Sequence, residues 1–271
     1  MSAWRLSLKQ APALRVDARG LSPAALAGLD AVAVGELALW HGNERVALGD
    51  LFAIEAHAEE GELRLEGELS KFDRIGWQLA AGSLRIDGPV GDYLGAGMSA
   101  GAIVANGDAG VLAACEMSGG RLDVAGSVGD FAASALPGSM DGMRGGTFIV
   151  RGHAGERFGD RMRRGSAIVF GDAGDFVASR MVAGTIAVAG AIGAHPGYGM
   201  RRGTLLAAGA QPTVPPCFVG NTVDIGVFWQ LLARDLARHG GPFAALAKRA
   251  APRRFVGDLA AGGKGELLIA G

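Results

Sequence analysis

The stretch Gly165-Ser-Ala-Ile-Val-Phe-Gly171-Asp-Ala-Gly174 decides the fold, because the chain repeats it. The same phrase opens at Gly82 (G-SLRID-G-PV-G), Gly101 (G-AIVAN-G-DA-G), Gly120 (G-RLDVA-G-SV-G), Gly146 (G-TFIVR-G-HA-G) and Gly184 (G-TIAVA-G-AI-G). With Gly61 before them and a partial copy at Gly203, the opening glycines lie 21, 19, 19, 26, 19, 19 and 19 residues apart. Self-similarity at such a period is the mark of a solenoid.

Within each unit, apolar side chains stand two and four residues after the opening glycine: Leu84 and Ile86, Ile103 and Ala105, Leu122 and Val124, Phe148 and Val150, Ile186 and Val188. Period-two alternation over about five residues predicts a short strand with one face inward. Glycines then mark the turns. Three residues before the next opening stands a methionine in six units, namely Met98, Met117, Met143, Met162, Met181 and Met200, with Leu79 in the first. Nineteen residues are too few for a strand plus a helical crossover to a parallel neighbour. The chain is therefore expected to wind around an axis, each strand pairing with its equivalent one coil on, as a mainly β, single-stranded parallel β-helix of about seven coils. The methionines would form an internal ladder, as core filler rather than a copper site. The seven-residue surplus around Ala133 to Asp141 should bulge out as a loop.

The repeat is expected to span 61–210, between an α/β cap (1–60) and a C-terminal helix and tail packed on the β-helix (211–271). In the cap, strands are predicted at Trp4 to Leu8 and Leu14 to Val16. A helix capped by Ser22 should run through Pro23-AALAGL. A hairpin is predicted from Glu36 to Leu48, turning at Gly42-Asn43. Beyond Gly209, Asp224 to His239 reads as an amphipathic helix with Ile225, Phe228, Leu232 and Leu236 on its apolar face and Trp229 and Leu231 flanking it, lying along the rod. A short turn at Phe243 to Lys248 and strands at Arg254 to Val256 and Glu266 to Ile269 complete the tail.

Composition narrows the function classes. A net charge of −1 disfavours non-specific nucleic-acid binding. No apolar h-region or membrane-length apolar run is visible, so a cytoplasmic, non-membrane protein is expected. His41, His57, His153, His195 and His239 are scattered, and neither Cys115 nor Cys217 sits in a ligand motif. Gly95-Ala-Gly97 and Gly197-Tyr-Gly199 lack the spacing of a dinucleotide fingerprint. Asp92, Asp130, Glu156 and Asp175 share one turn position and read as a solvated acidic row. No catalytic and no metal-binding residue is expected in this chain.

One surface feature stands apart. Arg163-Arg164 and Arg201-Arg202 fill the two positions before their opening glycines, Arg144 aligns with Arg163 and Arg201, and Arg161 is equivalent to Arg180. Stacked coils should gather them into a basic strip. Either it is an ordinary solvated face, partly paired with Asp160, Asp172 and Asp175, or it binds carboxylates, which suit arginine's fork.

Three segments together resemble the C subunits of the formylmethanofuran dehydrogenase family, in the form found in the bacterial formyltransferase/hydrolase complex. They are Phe72-Asp73-Arg74-Ile75-Gly76, the coil phrase with its M-x-x-G, and the tail Gly257-Asp258-Leu259 through Gly263-Lys264-Gly265-Glu266-Leu267-Leu268. The coil phrase alone is shared with the glutamate synthase C-terminal domain, so a stand-alone domain serving an amidotransferase complex is the alternative. The resemblance implies a right-handed β-helix. It also implies a scaffold role in one-carbon metabolism of the kind used in methylotrophy, where a formyl group passes from formyl-tetrahydromethanopterin to methanofuran or methylofuran and leaves as formate. The implied partners are the amidohydrolase-like A, the B and the formyltransferase D subunits, with metals on other subunits. Arg163, Arg164, Arg201 and Arg202 would then face an acidic partner or the cofactor's glutamate tail.

Overall fold

A computed structural model describes residues 3–57 and 61–271. The expected boundary near residue 60 thus falls beside 58–60, outside the described residues. The chain is mainly β. Thirteen strands form one sheet, whose central ten are parallel. From Glu62–Glu66 through Ser83–Asp87, Ala102–Ala105, Arg121–Val124, Arg144–Val150, Arg164–Val169 and Thr185–Val188 to Thr204–Ala207, each repeat contributes one strand, paired in register with the next. Each repeat also contributes one residue to a second column of parallel bridges, running Leu69, Val90, Ala109, Val128, Ala154, Ala173, Ile192.

The period-two pattern places the predicted side chains inside. Leu84, Ile86, Ile103, Leu122, Phe148 and Val150 are buried, and Met98, Met117, Met143, Met162, Met181 and Met200 are all fully buried. Phe148 stacks on Phe158 at 5.8 Å, filling the space beside the small Ala167 of the next coil. The opening glycines are needed where coils meet. Gly101 has φ +82°, and a Cβ there would lie 2.5 Å from the Gly82 carbonyl oxygen.

Non-repeat segments extend the stack at both ends. Ala3–Leu8 joins it in parallel beside Glu62–Glu66, and Phe52–His57 closes that end antiparallel. At the other end Gly265–Ile269 adds in parallel to Thr204–Ala207, followed antiparallel by Arg253–Gly257 and Val219–Asn221. The hairpin forms as Ala38–His41 with Glu44–Ala47.

Two expectations need correction. Ser22 does cap a turn, accepting from the Ala25 amide at 3.2 Å, but no α-helix follows. Gly28 turns to φ +78°, and the helix starts afresh at Ala31–Glu36 with Asp30 as its N-cap. The C-terminal helix, Gly226–Ala237, lies on the outer face of the sheet with the expected Ile225, Leu232 and Leu236 packed there, but it buries the flanking Trp229 and Ala233 while Phe228 stays 42% exposed. The reason is the sheet's outer face. Ile149, Ile168, Ala187, Leu206 and Leu268 form an apolar patch there that the bulky Trp229 covers. Its indole N–H donates to the Arg249 carbonyl at 3.2 Å.

Replacing Phe148 by Ala should cost about 3–5 kcal/mol, because a stacked inner aromatic is lost and the coils on either side cannot collapse into the space. Urea denaturation followed by circular dichroism measures this. A loss below about 1 kcal/mol would show that the inner column is not tightly packed.

Candidate functional site

The turns between strands carry two ladders of side chains that reach from one coil to the backbone of the next. In the first, Asp108 accepts from the Ser127 amide (2.7 Å), Ser127 Oγ from His153 (3.0 Å), His153 Nδ1 from Asp172 (3.0 Å) and Asp172 from Ala191 (2.7 Å). In the second, Asp73 accepts from Asp92, Asp92 from Val111, Asp130 from Glu156 and Asp175 from Ala194, at 2.7–3.0 Å. The acidic row is therefore not simply a solvated face. Asp92, Asp130 and Asp175 satisfy amides that the turns would otherwise leave unpaired, whereas the Glu156 side chain stands out in solvent.

The arginines do share one side, in a different arrangement from a continuous column. Arg163-Arg164 and Arg201-Arg202 are two coils apart, because the coil between them contributes Val182 and Ala183. The result is a groove of about 460 Å³, with Arg144, Arg163 and Arg164 on one bank, Arg201 and Arg202 on the other, and Val182 and Ala183 as its floor. At about 4.8 Å per strand the banks are about 10 Å apart. This spacing relieves the repulsion that an unbroken arginine column would suffer. A second depression of about 370 Å³ continues from it, lined by Arg161, Arg163, Arg180, Val182 and Arg201, with Met140 and Ala261 as walls. Met140 comes from the extruded loop and Ala261 from the C-terminal turn Leu259–Ala261.

Of the three expected counter-ions, only Asp160 serves the arginines. It is 4% exposed, accepts Ser179 Oγ at 2.6 Å, and binds Arg180 through Nε and Nη2 at 2.9 and 2.6 Å, with Arg161 at 3.7 Å. A two-point fork of this kind fixes the Arg180 guanidinium plane. Asp172 lies instead beside His153, and Asp175 serves the turn ladder. Two other carboxylates reach the groove: Asp141 meets Arg163 at 2.5 Å, and Glu116 lies 3.7 Å from Arg144. Among the described residues, Arg164, Arg201 and Arg202 have no carboxylate within 4 Å. The surplus loop pointed to Asp141, because an insertion at this point in the repeat must project beside the coil that carries Arg163.

Other chemistry-bearing groups lie apart. Cys115 is buried against Ser134 Oγ, and burial pushes its thiol up to about 12. Among the described residues no three His, Cys, Asp or Glu side chains come together as metal ligands. No helix among the described residues is long and apolar enough to cross a membrane.

No protein-family model matches the chain. Over 80 residues it is 44% identical to the C subunit of the formyltransferase/hydrolase complex Fhc of Methylorubrum extorquens, a stretch covering 30% of each chain. Over 101 residues it is 32% identical to the C subunit of the tungsten-containing formylmethanofuran dehydrogenase 2 of Methanothermobacter wolfeii, covering 36% of this chain and 37% of that one. These aligned stretches thus span about a third of the curated relatives. The structural match is longer. A chain in the crystal structure of the formyltransferase/hydrolase complex FhcABCD from Methylorubrum extorquens, solved with methylofuran, superposes with a TM-score of 0.90 at 42% identity, over 98% of this chain and 99% of that one. The chain belongs to the family of formylmethanofuran dehydrogenase C subunits. In this family member the groove is lined by repeat residues, and the depression that continues it is lined also by the two segments, the extruded loop and the C-terminal turn, that break the repeat.

Two outcomes are expected. Asp160→Ala should cost about 1–3 kcal/mol, because Ser179 Oγ loses its partner in a buried place and Arg180 its anchor; thermal unfolding measures it. In the native protein iodoacetamide should spare Cys115 and modify it only on unfolding, as mass spectrometry of alkylated peptides would show.

Proposed function

We propose that this chain is the non-catalytic scaffold, the C subunit, of a cytoplasmic formyltransferase/hydrolase complex. The complex would move a formyl group from formyl-tetrahydromethanopterin to methanofuran or methylofuran and release formate. Its partners would be the amidohydrolase-like A, the B and the formyltransferase D subunits, which would hold the reacting groups and any metal. The observation that carries this is the full-length likeness, at 42% identity, to a chain of the FhcABCD complex. The 19-residue register and the second column of bridges support a parallel β-helix as the scaffold, whose right hand is what the family resemblance implies.

The arginine groove is its candidate contact for negative charge. Arg163, Arg164, Arg201 and Arg202 present forks that suit carboxylates, whether on an acidic partner surface or on the glutamate-bearing tail of a furan cofactor. The donor set fits the tail's carboxylates; nothing in it is specific to a furan ring.

The chain, tagged and recovered from its host, should bring amidohydrolase-like and formyltransferase chains with it. The eluate should hydrolyse formyl-tetrahydromethanopterin, and the isolated chain should not. Reversing Arg163, Arg164, Arg201 and Arg202 to glutamate should reduce co-recovery or cofactor content at least several-fold. Unchanged values for both would remove the groove from the proposal, and recovery of a solitary chain would remove the complex.

A further inference from the structure

The helix Gly226–Ala237 is apolar on two faces, and the sheet covers one of them. Inward, Trp229, Ala233 and Leu236 are buried. Outward, Val227 and Leu231 stand about one turn apart and are 78% and 63% exposed, with Phe228 beside them. Two side-chain turns set the entry to the helix. The Val223 amide donates to Asn221 Oδ1 at 3.0 Å, and the Gly226 amide donates to Asp224 Oδ1 at 2.8 Å. Val223, just before the helix, is exposed as well. A helix that is apolar all round belongs inside a protein. An exposed apolar stripe with a charged border marks an interaction surface.

A depression of about 470 Å³ opens where the helix begins. Val223, Ile225, Pro252 and Phe255 line it, together with Gly220 and Asn221 of the strand Val219–Asn221. That strand ends the sheet, and its one neighbour there is Arg253–Gly257.

The charges around this face decide what covers it. From Gly226 to Gly257 the sequence holds Arg234, Arg238, Lys248, Arg249, Arg253 and Arg254 against the single acid Asp235. Asp235 lies 3.5 Å from Arg238, and Arg254 meets Glu266. Among the described residues, Arg234, Lys248, Arg249 and Arg253 have no carboxylate within 4 Å. A second copy of the chain is a poor match, since basic would meet basic whichever way the two helices lay. Charge complementarity calls for an acidic border on the other side.

We infer that this face is the seat of a different subunit of the complex, one whose contact surface is apolar at its centre and bordered by carboxylates. Val227 and Leu231 are the central anchors, a partner side chain fills the depression beside Val223, and carboxylates meet Arg234 and Arg253 at the border. The inference rests on the chain being a subunit of such a complex. The seat shares no lining residue with the arginine groove.

The test uses the full-length chain recovered with its subunits from the host. Val227→Asp with Leu231→Asp should cut co-recovery of at least one other subunit about tenfold or more, because charge enters the centre of the contact. The same variant in isolation should unfold at the wild-type temperature, since neither side chain is buried within the chain. Arg234→Glu should weaken co-recovery more at low salt than at high salt. Hydroxyl-radical labelling of the wild type needs no variant: Phe228 and Leu231 should be labelled in the free chain and protected in the complex. Equal labelling in both overturns the inference and leaves the complex in place, as does full co-recovery by the double variant. A wild-type chain that dimerises in the ultracentrifuge and turns monomeric on the double substitution also overturns it, with a second copy as the occupant. A wild type that brings no other subunit removes the proposed function, and this seat with it.

Discussion

Each repeat is bonded to the next at a fixed offset, and the rest of the molecule obeys that offset. The strand ladders are parallel and in register, and the turns add their own coil-to-coil bonds, such as the Val182 amide to the Met162 carbonyl at 2.8 Å. A backbone group that missed its partner would be buried unpaired, at a cost comparable to a lost hydrogen bond. The offset therefore dictates which side chain lies above which. It stacks the methionines, and it aligns the aspartates whose carboxylates reach the next turn. It also brings Tyr93, Phe131, Arg157, Phe176 and His195 to one corner, all at positive φ near +60°. Such backbone is disfavoured for side chains of this size. The corner keeps it in successive coils, with Arg157 lying over Phe131 and Phe176.

The same offset explains how so much positive charge shares one surface. Six of the seven arginines lining the groove stand on three coils, and the coil between the two banks carries Val182 and Ala183 instead. The groove is thus a local departure from the repeat's sameness. Its end walls come from two segments outside the repeat, the loop at Met140 and the tail at Ala261.

Much of this was legible in the sequence, for physical reasons. Glycine spacing and the two-residue alternation are strong local signals, so the strands, the inner columns and the extruded loop followed from them. The strip residues were legible too, but their spacing required noticing that Val182-Ala183 interrupts them. What was not legible depended on partners far along the chain. The helix at Gly226–Ala237 turns Trp229 inward because Ile149, Ile168 and Leu206 make the outer face apolar in those coils. Helical periodicity alone had favoured Phe228. The stretch after Ser22 has good helix formers and a cap, yet Gly28 takes a left-handed turn and moves the helix to Asp30. The aspartates looked solvated because a sequence does not show that a side chain points along the stacking axis.

Because the parallel strands are stacked at one spacing, the length of this molecule is not continuously adjustable. Nine spacings of about 4.8 Å separate Ala3–Leu8 from Gly265–Ile269, about 43 Å in all. A change of a few residues is taken up sideways, as the loop at Ala135 to Asp141 is, and leaves that distance untouched. Only a whole unit of 19 residues moves the two ends apart. Anything fastened at both ends is held at a distance counted in coils, so the stack works as a ruler whose smallest division is one repeat.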